Sequence, residues 1–321
     1  MREIVIGPDT EGQRLDKFLK RYLPDAGTGF LYRMLRQKKI VLNGAKADGS
    51  VILKAGDAVR IWFSDETLAK FSGSAESGKR AQGTGAGRDA AKGGSGGPDV
   101  KAFARGIIFE NDDLLLYNKP AGLLTQRDDR NEASLNDLLV AYLTEKNEAD
   151  LQLYRPSAVN RLDRNTSGLV ICAKNLKSAQ CLSKLIRDRE IRKEYICLVK
   201  GHFNKEGLFE SRSEKDGSRM ATRFTVIEAG RRLSYVNAEL LTGRTHQIRQ
   251  QLLLLGHPIA GDPRYGDERL NRLLREQYGL KRQYLHSYRL TFPETIEELP
   301  GLSGRIFEER SAEDLPEIDT E

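Results

Sequence analysis

The chain has 321 residues, 39% hydrophobic and 31% charged, with a net charge of +6. That length supports one sizeable core plus a smaller domain, and the composition is an ordinary soluble one. No apolar run approaches the ~20 residues that span a bilayer, and the first residues lack the cationic and apolar regions of a secretory signal.

From the N-terminus, GQRLDKFLKRYL sets Leu15, Phe18, Leu19, Tyr22 and Leu23 on one stripe at helical spacing. Thr28 then reads as the N-cap of a second helix, FLYRMLRQKK. Its Leu31, Met34 and Leu35 point inward and leave Arg33, Arg36, Lys38 and Lys39 outward. KIVLNG and DAVRIWF follow as short strands bounded by glycine and aspartate. Residues 1–65 hold twelve Lys and Arg against eight Asp and Glu, a net of +4. A solvated cationic helix face accounts for that charge, and so does a polyanionic partner. The order RLDKFL, basic second helix, VLNG and strand resembles the small alpha-L RNA-binding module over residues 12–63. The resemblance implies that the module binds RNA, with the four outward cations tracking phosphates in a salt-dependent, weakly sequence-specific way.

Residues 72–97 read SGSAESGKRAQGTGAGRDAAKGGSGG, with almost no apolar side chain larger than alanine. Such a stretch buries too little surface to offset its ordering entropy, so residues 66–100 are expected to form a flexible linker. A body runs over 101–307, and an acidic tail over 308–321. In the body, strands are expected at 114–118, 169–174, 193–200, 222–228, 233–241 and 285–292. Helices are expected at SLNDLLVAYL, capped by Ser134 with Asp137 completing a capping box, at 176–188 and at 246–255. AGRR is short enough to close a hairpin between 222–228 and 233–241. The expected class is α+β, with a mixed, mostly antiparallel sheet flanked by helices and a small N-terminal α/β module.

Three segments carry candidate chemistry. In NRLDRNTSG, Asp163 lies between Arg161 and Arg164, just ahead of the apolar strand LVICAK. A rigidly placed carboxylate among cations can act as nucleophile or base; an ordinary surface loop with an Asp–Arg pair gives the same pattern. In RKEYICLVKG, Tyr195 opens an apolar strand, either as core packing or as a flat face for a nucleobase. In LTGRTHQIRQQLLLLGHPIAGDPRYG, Thr245 is a candidate cap, and His246, Ile248, Arg249 and Leu252 gather on the surface of the next helix. His246 and His257 have no third histidine or cysteine at ligand spacing, which argues against a metal. Cys172, Cys181 and Cys197 form no CxxC pair, which argues for reduced thiols in the cytoplasm.

Taken together and in order, DDLLLYNKPAGLLT, NRLDRNTSGLVICAK, KEYICLVKG and TGRTHQIRQQLLLLGHPIAGDPRYG resemble the motifs of the RluA-type family of pseudouridine synthases, over about 105–292. The resemblance implies that Asp163 is the essential aspartate, Tyr195 contacts the target base and Arg249 pairs with the aspartate. Arg161 would fill the space left by the flipped nucleotide. It gives Asn118, Lys119 and Pro120 a structural part, and with Arg164, Arg244 and His246 the cleft would be cationic toward RNA. Asn160 and Gln126 stand where the family usually has histidine, which bears on the choice of RNA site more than on the chemistry.

The implied reaction detaches uracil from the anomeric carbon and rejoins it through carbon five, with no redox or phosphoryl step and hence no cofactor or metal. The implied partner is RNA, ribosomal of the large subunit ahead of transfer RNA, with no membrane and a monomeric enzyme. Two rivals are a non-catalytic ribosome-assembly factor on the same scaffold, whose signature would be loss of Asp163, Tyr195 or Arg249, and a glycosidase-like hydrolase, which needs a second carboxylate or a metal.

Overall fold

The structure, a computed structural model, describes residues 1–8, 10–71, 99–128, 132–146 and 154–309. The linker expected at 66–100 thus lies mostly outside the described residues, as does the acidic tail beyond Glu309. The chain divides into two units: Met1–Asp99 with Leu143–Pro156 and Lys174–Lys177, and Val100–Tyr142 with Ser157–Ala173 and Ser178–Glu321.

In the first unit β1 (Arg2–Val5), α1 (Leu15–Tyr22), α2 (Thr28–Arg36), β2 (Ile40–Leu42), β3 (Ala58–Ile61) and α3 (Asp65–Phe71) follow in order. The sheet runs β1-β3-β2 and is antiparallel throughout. The helical stripe read from the sequence is its core, where Leu15, Phe18, Leu19 and Leu31 pack with Ile40 and Ile61. Two expectations change. Thr28 is already helical, and the extended N-cap is Gly27, with no side-chain cap bond. The module also runs past residue 65, because Leu68 and Phe71 of α3 pack on the same core.

The second unit holds α4 (Val100–Arg105), β4 (Ile107–Glu110), β5 (Leu114–Lys119), most of α5 (Leu135–Glu145), β6 (Ser157–Ala158), β7 (Ser167–Ala173) and most of α6 (Leu176–Arg187). After these come β8 (Arg192–Lys200), β9 (Gly207–Arg212), β10 (Arg219–Ala229), β11 (Leu233–Leu240), α7 (Gln247–Leu254), α8 (Glu268–Tyr278), β12 (Leu285–Thr291) and β13 (Ile306–Glu308). The strands form one mixed sheet in the order β4-β5-β7-β12-β8-β11-β10-β9, with β13 on β12 and β6 on β7. Among the pairings between these strands only β7–β12 is parallel. This is the α+β architecture expected, and each expected strand and helix of the body is present within a few residues. The hairpin closes with Ala229 opposite Ser234. At the head of α5, the Ser134 N–H and hydroxyl both donate to Asp137, at 3.0 and 2.7 Å. No helix among the described residues is long and apolar enough to cross a membrane.

The parallel pairing positions the loop before β7. Gly168 lies opposite Ser287, at φ +112, where a Cβ would stand 2.2 Å from the Ser287 carbonyl oxygen. Only glycine allows that approach, and across β12 the same Ser287 faces Tyr195 on β8. The loop with Asp163 and the strand with Tyr195 are thus joined through one residue.

Candidate active site

The backbone around Asp163 is clamped at three carbonyls. The Thr125 hydroxyl donates to Leu162 O at 3.0 Å and accepts the Leu162 N–H at 3.3 Å. The Lys119 ammonium, fully buried, donates to Pro120 O, Leu123 O and Arg164 O at 2.9, 2.8 and 3.1 Å. Arg282 reaches Asn165 O at 3.4 Å. Burial, with Arg282 in the same sense and Asp163 opposing, pushes Lys119 down to about 7. Three N–H bonds to three carbonyls nonetheless require the ammonium, since a neutral amine has two protons to give. Lys119 therefore holds the loop and does not act as a base, in keeping with the structural part implied for it.

Arg249 comes from the first turn of α7, but the helix does not begin as Thr245 suggested. His246 is the N-cap, in the left-handed region at φ 56, with no side-chain cap bond. Ile248, Arg249 and Leu252 are buried rather than gathered on the surface. Two glutamines fix the helix to the sheet. Gln247 donates to Ala221 O and the Thr222 hydroxyl at 3.0 and 2.9 Å, and Thr222 in turn donates to Gln251 at 2.6 Å.

So placed, Arg249 donates to Asp163 Oδ2 at 3.0 Å and, with its other edge, to both oxygens of Asp262 at 2.7 and 2.9 Å. Asp262 also accepts the N–H groups of Arg264 and Tyr265, at 2.9 and 3.0 Å. Burial opposes the charge on both partners. The bonds between them outweigh it, holding Asp262 below the usual carboxylate range and Arg249 above its own. The turn that delivers Asp262 depends on Gly261, at φ +76, where a Cβ would lie 2.1 Å from Arg282 O.

His246 Nε2 lies 3.7 Å from Asp163 Oδ2, and its Nδ1 is 3.1 Å from the Tyr265 hydroxyl. Burial holds this histidine below its ordinary value, with Arg249 and Arg264 in the same sense and Asp163 opposing. Tyr195 is 5% exposed, its hydroxyl bonded to Ser287. Burial pushes that hydroxyl far above the ordinary tyrosine value, so it is a neutral phenol at neutral pH.

Asp163, Tyr195, Arg249, Arg161, Arg164, Arg244 and His246 all line one open cavity of about 400 Å³. Arg161 and Arg244 are exposed and form no ion pair among the described residues. Arg164 is already engaged by Glu132 at 2.7 Å and by the Gly122 carbonyl at 3.1 Å. Arg33, Arg36, Lys38 and Lys39 are exposed on the first unit, at the end of α2 and the turn after it. Of the two departures from the family pattern, Gln126 lines the cavity, whereas Asn160 is buried and accepts the Ile171 N–H at 2.7 Å. Among the described residues no cluster of His, Cys, Asp or Glu is arranged to hold a metal ion. Asp262, Thr125, Ser287 and Gln247 are the site residues that reasoning from sequence missed. Asp262 sat in view in GDPRYG, but nothing in its spacing says that the turn folds back on Arg249.

A model of the RNA pseudouridylate synthase family matches residues 113–254. Ribosomal large subunit pseudouridine synthase C of Vibrio vulnificus (strain CMCP6) is 31% identical over 307 residues, covering 92% of this chain and 89% of that protein. The protein of the same name from Escherichia coli (strain K12) is 30% identical over 305 residues, covering 90% and 88%. The solved structure of human RNA Pseudouridylate Synthase Domain Containing 4 shares the fold, with a TM-score of 0.50 and 23% identity over 60% of this chain and 86% of that one. With four motifs converging on one cavity and relatives matched along most of their length, the chain belongs to the RNA pseudouridylate synthase family, isomerases that convert uridine in RNA to pseudouridine.

Proposed function

We propose that Asp163 is the carboxylate that starts the isomerisation, that Arg249 orients it, and that Tyr195 receives the extruded uracil. One observation carries this reading. Asp163 is fixed by Arg249 at 3.0 Å while 26% of its side chain stays open to the cavity. In the reaction the bond from N1 to the anomeric carbon breaks, the uracil turns, and a bond forms from carbon five. The proton on carbon five leaves and N1 gains one. Asp163 either attacks the anomeric carbon or takes the proton from the neighbouring ribose carbon, and both routes need the same free carboxylate oxygen. Extruding the base costs a few kcal/mol, least where the uridine is already unpaired. As a neutral phenol, Tyr195 suits stacking and hydrogen bonding; a phenolate base at carbon five is disfavoured there.

The favoured target is a uridine of large-subunit ribosomal RNA. The names of the relatives from Vibrio vulnificus and Escherichia coli support it. Residues 1–71 form the RNA anchor, supported by the exposed cations Arg33, Arg36, Lys38 and Lys39; Arg161, Arg244 and His246 contact RNA at the cavity. The reading includes a single-chain enzyme of the cytoplasm, which three free, buried cysteines support.

The test is Asp163→Asn in the full chain, with pseudouridines mapped by carbodiimide labelling of ribosomal and transfer RNA from cells carrying wild type, variant or no gene. Loss of one ribosomal signal in the variant is the expected result. Wild-type turnover by the variant sinks the catalytic role, and loss confined to transfer RNA overturns the target.

A further inference from the structure

The chain has one tryptophan, Trp62, and it stands 51% exposed although its neighbours Ile61 and Phe63 are buried. Trp62 directly follows β3, and its N–H donates to the Lys39 carbonyl at 2.8 Å. That bond extends the register in which Ile40 faces Ile61, so Trp62 and Lys39 are opposite each other. Side chains alternate across a strand, and Ile40 and Ile61 both point into the core. The indole and the Lys39 side chain therefore share the outer face, where opposite residues have Cβ atoms ~4.5–5.5 Å apart.

Lys38 and Lys39 are both exposed and form no ion pair among the described residues. Two residues back along the same face stands Arg60, paired with Glu3 at 2.6 Å. The indole is thus flanked by the charged side chains of Lys39 and Arg60, a setting that suits a polyanion with flat aromatic groups.

We infer that Trp62 and Lys39 form a stacking site for an unpaired nucleobase of the RNA substrate, the indole taking the base and the ammonium the adjoining phosphate. The inference rests on the reading of residues 1–71 as the RNA anchor. It adds a selectivity that charge alone lacks. Cations on α2 attract single strands and duplexes alike, whereas a base inside a duplex has no free face to stack on an indole. The anchor would then prefer RNA with an unpaired segment beside the helix it grips.

Because Trp62 is the sole tryptophan, its emission reports on this site alone. The full chain is titrated with a short single-stranded oligouridylate and with an RNA duplex of the same length. Emission is expected to be quenched by the oligouridylate and not by the duplex. Trp62→Leu is expected to weaken single-strand binding about tenfold, leaving duplex affinity and salt slope unchanged, while Trp62→Phe keeps most of the single-strand affinity. A second chain carrying Arg33→Glu and Arg36→Glu tests the anchor itself. If that chain loses affinity for both RNAs while Trp62→Leu binds like wild type, the stacking site is overturned and the anchor stands. If neither chain changes, both fall. Equal losses for single strand and duplex in Trp62→Leu also overturn the stacking site.

Discussion

Arg249 gives two hydrogen bonds to Asp262, at 2.7 and 2.9 Å, and one to Asp163, at 3.0 Å. The Asp262 side chain is fully buried, whereas that of Asp163 is 26% exposed. Asp262 therefore sets where the guanidinium lies, and the remaining edge is presented to the cavity. The ion pair named from the motifs is the outer half of a carboxylate–guanidinium–carboxylate row.

Asp262→Asn keeps the shape of the inner partner and removes its charge. A broken buried pair costs about 3–5 kcal/mol, and denaturant unfolding should show a loss near the lower figure because the amide still accepts one bond. Single-turnover isomerisation should slow at least about tenfold, one lost hydrogen bond's worth, with RNA affinity nearly unchanged. Wild-type turnover would refute the positioning role.

Thr125→Val leaves the buried N–H and C=O of Leu162 without their shared partner. The expected destabilisation is ~1–3 kcal/mol, with turnover falling more than binding because the Asp163 loop is loosened. Thr125→Ser keeps the hydroxyl and should restore most of both. Equal behaviour of the two variants in thermal melts and turnover assays would show that the clamp contributes nothing.

Gly168→Ala forces a Cβ to within 2.2 Å of Ser287 O, at a φ of +112 that alanine resists. The parallel β7–β12 contact must open, so the variant should melt far below wild type or accumulate as insoluble protein. A soluble variant with wild-type melting would mean that the pairing accommodates a side chain at residue 168.

Stability should fall on acidification through the histidine range. Burial holds both His246 and His286 below 6.5, so the folded chain binds fewer protons than the unfolded one beneath that pH. Stability from these groups is complete above 6.5 and is lost as pH drops through their folded values. Unfolding free energies between about pH 6.5 and 5.5, below the value near 7 to which Lys119 is held and above the usual carboxylate range near 4, read this slope. His246→Asn, which tolerates the left-handed backbone, should make it shallower; an unaltered slope assigns the effect elsewhere.

Periodicity made most of the fold legible. The α1 stripe of Leu15, Phe18, Leu19 and Tyr22 is the buried face of that helix, and the unbroken apolar run of β7 is buried along its length. Helix starts were less legible. A cap needs an extended backbone that residue type only favours, and Gly27 and His246 took the places given to Thr28 and Thr245. That Asp163, Tyr195 and Arg249 meet in one cavity was legible through their motifs. Their supports were not, because Lys119 meets Arg164 and Arg249 meets Asp262 through folding at long range.

The clamps on the Asp163 loop grip carbonyl oxygens of Leu162, Arg164 and Asn165 rather than their side chains. Every amino acid supplies that oxygen. The side chains at Arg161 and Asn165 can thus be exchanged without breaking these clamps, whereas that of Arg164 also holds the Gly122 carbonyl and Glu132. Arg161, which lines the cavity, and the bonds that fix the Asp163 backbone depend on different atoms of one short loop, so one can be exchanged while the other is left intact.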